Sequence, residues 1–137
     1  MSRYKIILCW TARIIAAVIM AQTLYFKFSA SPESVYIFST VGMEPWGRIM
    51  VGVLELVASV LLLINATAWI GALLGFALMA GAIGMHLTIL GITVINTDGT
   101  SDGGQLFLYA VAVAICSLIV LWLNQDQIRS AIKVVFR

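Results

Sequence analysis

From Leu56 to Thr97 the chain has no Asp, Glu, Lys or Arg. Charged residues make up only 10% of its 137 residues, against roughly 25% in soluble domains. That shortage excludes an ordinary soluble domain. Basic residues number eight and acidic residues six. A net charge of +2, with the basic residues scattered, excludes a nucleic-acid surface. The two cysteines, Cys9 and Cys116, form no Cys-x-x-Cys pair and no metal-ligand spacing, which leaves them as small packing residues. The single histidine, His86, cannot complete a metal set with one buried carboxylate, nor hold a haem on both faces. Glu-x-x-His pairs of a di-iron bundle and Gly-rich phosphate loops are also missing.

What remains is apolar. Hydrophobic residues make up 62% of the chain. A helix needs about 20 apolar residues to cross a bilayer. Four segments qualify: Ile6–Phe26, Gly47–Ile64, Trp69–Ile95 and Leu106–Leu123. Short links join them at Asn65–Ala68 and at the polar Asn96–Gln105 loop. The longer Lys27–Trp46 connection holds Ser31-Pro32-Glu33-Ser34, a helix-start signal for a short interfacial helix. The expectation is an all-α membrane four-helix bundle, up-down-up-down, in one transmembrane domain over residues 1–137.

Arg3 and Lys5 flank the first span, and Arg129, Lys133 and Arg137 follow the last. Glu33, Glu44, Asp98 and Asp102 occupy the opposite loops. The positive-inside rule then puts both termini in the cytoplasm, and the expected location is a bacterial inner membrane. The first span contains Arg13 and lacks an Ala-x-Ala site, so it does not read as a cleaved signal peptide. In Gln125–Arg137, Ile128, Ile132, Val135 and Phe136 fall on one helical face, and Arg129, Lys133 and Arg137 on the other. This predicts a short amphipathic helix resting on the inner leaflet.

Against so apolar a background Glu55 stands out. A carboxylate inside a span costs a few kcal/mol and needs partners. Arg48, Gly52, Glu55 and Ser59 share one helical face, with Glu55 about 10 Å deeper than Arg48 at 1.5 Å per residue. His86 lies about 9–13 Å below the outer end of the third span, on a face with Gly71, Gly75 and Ala82. Lys27 and Tyr109 enter from the same side. Lys27, Arg48, Glu55, His86 and Tyr109 are therefore the candidate ligand-binding residues, and Glu55 and His86 the candidate proton carriers. The group suits the polar head of a lipophilic molecule, a quinone for example, with the apolar bundle around its tail. The bland alternative is an interhelical salt bridge that fixes register. Arg13, about 10 Å in from the other side, is expected to snorkel or to make a structural bond.

These residues resemble the DoxX-like family of small four-helix membrane proteins. The resemblance runs from about Ala12 to Leu123. It rests on Arg13, Lys27, Ser31-Pro32-Glu33-Ser34-Val35, Gly42, Pro45, Gly47-Arg48 and Gly52-Val53-Leu54-Glu55-Leu56. Gly71-Ala72, Met79-Ala80-Gly81-Ala82 and His86-Leu87 complete it. The resemblance implies a four-helix transmembrane bundle and an association with redox chemistry, since the family takes its name from a subunit of a thiosulfate:quinone oxidoreductase. It also implies partners: membrane oxidoreductase complexes for some members, and receptors awaiting assembly for eukaryotic ones. Enzyme and non-enzyme both stay open, because the chain carries no cysteine pair or cofactor motif. Three functions compete at this point. They are a lipophilic-ligand-binding subunit of a redox or stress-related system, a non-enzymatic assembly factor or oligomeric partner subunit, and a small transporter. The last is disfavoured by the few polar residues in the inner half of the spans.

Overall fold

A computed structural model describes residues 1–136. Six helices follow one another: α1 (Arg3–Phe28), α2 (Pro32–Val41), α3 (Trp46–Leu63), α4 (Ala68–Met85), α5 (Gln105–Leu123) and α6 (Gln125–Val135). A π-helical turn, His86–Leu90, prolongs α4. Four of these, with α4 counted through Leu90, are long and apolar enough to cross a membrane. They close a ring in which α1 packs on α3, α3 on α4, α4 on α5 and α5 back on α1. Consecutive spans run antiparallel, as short links require.

The core of that ring is built from small side chains. Ala12, Ala16 and Ala17 of α1 meet Ala58 and Leu62 of α3, Ala68 and Ala72 of α4, and Ala114 and Val120 of α5. Lipid gives helices no hydrophobic reason to associate, so close backbone approach must supply the packing energy. Gly71 shows how close. A Cβ there would meet the backbone N of Leu62 at 2.6 Å and the carbonyl O of Ala58 at 2.8 Å. Outside the ring, Ile14, Val18, Val53, Val60, Leu73 and Leu118 are exposed, as a lipid-facing belt demands.

Two arginines tie α1 to α3 at opposite ends. Arg13 of α1 is buried and does not snorkel. It donates through Nε to the Leu62 carbonyl, in the last turn of α3. Its Nη1 donates to Asn65 Oδ1 at 2.8 Å, and the guanidinium stacks 3.8 Å over the Trp10 ring. Arg48 of α3 donates to the Lys27 carbonyl, in the last turn of α1. Each antiparallel helix thus sends a cation to the carbonyl-rich C-terminus of the other, where backbone acceptors lack intrahelical partners.

The helix starts match their sequence signals. Ser31 caps α2, its Oγ accepting from the Ser34 N–H, with Pro32 in the first turn. α2 lies across the end of the ring where α1 finishes and α5 begins, touching α1, α3 and the π-turn. The third span stops five residues short of the expected Ile95. Gly91 takes φ +79°, a left-handed value that ends the helix. Beyond it Val94 bonds to Asp102, and Ile95 pairs with Ser101 in an isolated antiparallel bridge. At the other end α6 follows α5 directly, and Ile132, Val135 and Phe136 of its apolar face are exposed.

Candidate functional site

Under α2 the ring does not close on itself. A cavity of about 460 Å³ opens there, lined from all four spans and from α2. Its walls are mainly apolar, with Ile19, Met20, Leu78, Met79, Met85 and Leu90 among them. Its polar groups are Gln22, Thr23 and Lys27 from α1, Ser31, Glu33 and Ser34 at the start of α2, Glu55 from α3, His86 from the π-turn, and Gln105 and Tyr109 from α5. Asp102, just before α5, completes the rim.

Lys27 and Glu55 are the centre of the polar set. Lys27 Nζ lies 2.8 Å from Glu55 Oε2, with side-chain exposures of 13% and 5%. It also donates to Thr23 Oγ1 at 3.0 Å. Thr23 Oγ1 is 3.2 Å from the same carboxylate oxygen. The pair meets because Lys27 lies in the last turn of α1 and Glu55 two turns below Arg48 in the antiparallel α3. An ion pair held in so apolar a setting stands only with such added hydrogen bonds.

His86 opens the π-turn, and its Nδ1 lies 2.8 Å from the Gly91 carbonyl. A carbonyl only accepts, so Nδ1 carries the proton in this pairing, and the neutral ring keeps Nε2 as an acceptor. The ring packs edge-on against Phe107 at 5.7 Å. π-turns recur at functional sites because the widened turn re-aims side chains. Tyr109 lines the wall one turn into α5, its hydroxyl accepting from Gln105 Nε2 at 2.6 Å.

The mouth is acidic. Asp102 Oδ1 accepts from the Val94 and Gly104 N–H groups at 2.8 and 2.9 Å, and Oδ2 from the Leu106 N–H at 3.1 Å. It thereby caps α5, where a negative charge suits the helix N-terminus. Burial pushes the Glu33 carboxyl above its usual range, and the charge of Asp102 adds to the rise, with Asn96 acting the other way.

Of the five expected ligand-binding residues, Lys27, Glu55, His86 and Tyr109 share this cavity and Arg48 does not. Arg48 is buried on the expected face of α3, but it turns to Glu44, with Nε 2.9 Å from both carboxylate oxygens. Helical spacing accounts for one residue that sequence reasoning passed over: Thr23 is four residues from Lys27 in α1, the separation that brings helical neighbours together. Glu44 instead reaches Arg48 from the turn just before α3. Nothing local marks Asn65, Glu33 or Asp102, which reach their places only through the fold. Among the described residues no group of three His, Cys, Asp or Glu could hold a metal ion.

No curated protein and no solved structure matches the chain. A sequence model of the DoxX family matches residues 8–93. That is more than half of the chain, and it takes in Arg13, Lys27, Arg48, Glu55 and His86; the protein therefore belongs to the DoxX family.

Proposed function

We propose that this multi-pass membrane protein binds a quinone-like or other lipophilic molecule in the cavity under α2, as a subunit of a membrane redox or stress-related system. One observation carries the reading: a largely apolar chamber of about 460 Å³ with a buried Lys27–Glu55 pair in its wall. Apolar walls with a few convergent polar groups are the usual form of a small-molecule site. The head group meets Lys27, Glu55, His86 and Tyr109, and the tail lies against Met79, Leu78 and Ile19. Arg48 supports the site from outside by holding the α1 terminus that carries Lys27. The acidic loops face outward and the basic α6 lies on the inner leaflet of a bacterial inner membrane, both termini being cytoplasmic.

Mass spectrometry of the protein purified from native membranes tests this. A lipophilic molecule should co-purify near one per chain and be lost from Glu55→Gln, with the bundle still folded. A full complement on Glu55→Gln and His86→Ala alike would overturn the site.

A second reading has its own support. Lys27, Thr23 and Glu55 bond to one another, and Arg48 to Glu44, without any ligand. On that reading the cluster is a clamp and the chain a non-enzymatic assembly factor or partner subunit. Its cluster variants vanish from membranes, and loss of residues 125–137 abolishes partner capture. The alanine-packed half of the ring speaks against a transporter, because it offers no continuous polar path.

A further inference from the structure

The cavity's polar groups can be sorted by what they still have to offer. Lys27 Nζ spends two of its three donors, on Glu55 and Thr23. One N–H remains. The Tyr109 hydroxyl accepts from Gln105 and keeps its own proton to give. Glu55 uses only Oε2 for Lys27 and Thr23, so Oε1 is an acceptor with no partner among the described residues. His86 gives Nδ1 to Gly91, which leaves Nε2 as a second acceptor. Around the Lys27–Glu55 pair, these four residues therefore present two free acceptors and two free donors.

A head group built only of carbonyls answers the donors and leaves both acceptors unpaired. A carboxylate has the same fault and a worse one. The lining carries three acidic groups, Glu33, Glu55 and Asp102, against the single cation Lys27. Like charge disfavours an anion there. A hydroxyl both donates and accepts, and it carries no charge.

We propose that the cavity selects an uncharged amphiphile with a hydroxyl head, which donates to His86 Nε2 or Glu55 Oε1, over the same amphiphile with its oxygen methylated or replaced by carboxylate. Of a quinone pair it favours the hydroquinone, whose hydroxyls donate, over the quinone, whose carbonyls only accept. This rests on the ligand-binding reading given above.

The test uses the full chain in phosphatidylcholine nanodiscs with three probes: para-nonylphenol, its methyl ether, and dodecanoate at pH 8. The phenol should bind about tenfold more tightly than the ether, the worth of one hydrogen bond to a buried acceptor. Dodecanoate should bind more weakly than both. His86→Ala should bring the phenol-to-ether ratio down toward one, with the thermal midpoint of the variant showing that the bundle is still folded. Equal binding of phenol and ether by the wild type overturns the hydroxyl selection but leaves ligand binding standing. Dodecanoate binding as tightly as the phenol overturns the exclusion of anions. Failure of all three probes to bind overturns the ligand-binding reading itself and the selection with it.

Discussion

The two ends of the four-helix ring use the same parts differently. At the end where α3 turns into α4, alanines fill the interior, Gly71 lets backbones touch, and Arg13 satisfies the Leu62 carbonyl in the last turn of α3. At the α2 end the helices stand off from one another around a cavity, and the charged pair Lys27–Glu55 lies in its wall. Both ends bury a cation. Arg13 spends its charge on backbone and an amide, and so it closes a joint. Lys27 meets a carboxylate beside open space. A buried charge of the first kind reads as architecture, and one of the second kind as a site.

The largest effect should come from breaking the closed end. Arg13→Ala removes hydrogen bonds from a charged donor and strands the Leu62 carbonyl and Asn65. It should cost about 2–4 kcal/mol, read as a fall in the thermal midpoint of detergent-solubilised protein. Ligand binding per folded molecule should not change. Arg13→Lys should recover less than half of the loss, because an ammonium lacks the fork that spans two acceptors and the planar face that covers Trp10. A loss in binding larger than the loss in fold would erase the division between the two ends.

Next comes the pair itself. Lys27→Met leaves Glu55 buried and alone, and should destabilise by about 3 kcal/mol. Adding Glu55→Leu to it should restore most of that stability, since an apolar pair of similar volume often serves as well as a buried ion pair. The double variant should nevertheless bind no lipophilic ligand. A stable double variant with intact binding would make the pair a clamp and nothing more. Paired thermal melts and ligand titrations of the three proteins decide it.

The division was only partly legible in the sequence. The spans followed from apolar length, and α2 from Ser31 and Pro32, because both signals are local. Glu55 and His86 were visible as polar residues where lipid should be. Their alignment with Lys27 followed from counting residues along helices. Arg48 went to Glu44 because a carboxylate in the turn just before its own helix is nearer than one two turns deeper. The end of the third span was missed because apolar residues continue to Ile95 while the backbone leaves the helix at Gly91. The size and outline of the cavity were not legible. They depend on how far the helices stand apart, which side-chain sizes on four segments decide together. Glu33 reaches the rim from the first turn of α2 and Asp102 from the loop before α5, and neither is placed by the periodicity of a span.

Two glycines of α4 put the contrast within one helix. Gly71→Ala places a methyl against α3 backbone that cannot yield, and should cost about 1–3 kcal/mol. Gly81 lines the cavity, and a Cβ there would meet nothing within 4 Å. Gly81→Ala should therefore stabilise by up to about 1 kcal/mol through helix propensity alone. Opposite signs for the same chemical change, measured by thermal midpoint, would confirm which end is packed and which is open.

The smallest effect concerns the seating of α2. Its Glu33 carboxyl titrates above the usual value of 4.5 because burial and the charge of Asp102 both oppose ionisation. A group that holds its proton more tightly when seated stabilises the seated form at low pH. That stabilisation is fully present below 4.5 and falls away as the pH rises through the higher, seated value. Hydrogen exchange of the α2 amides, corrected for the intrinsic pH dependence of exchange, should therefore show protection declining upward from pH 4.5. Glu33→Gln should flatten the decline, because an amide keeps the shape without the charge. Arg13 and the alanine-packed end should show no such dependence, since no carboxylate lies among their partners. A slope that survives in Glu33→Gln would take the pH dependence away from Glu33. A slope of equal size at the packed end would mean that the whole ring, not the lid over its cavity, responds to pH.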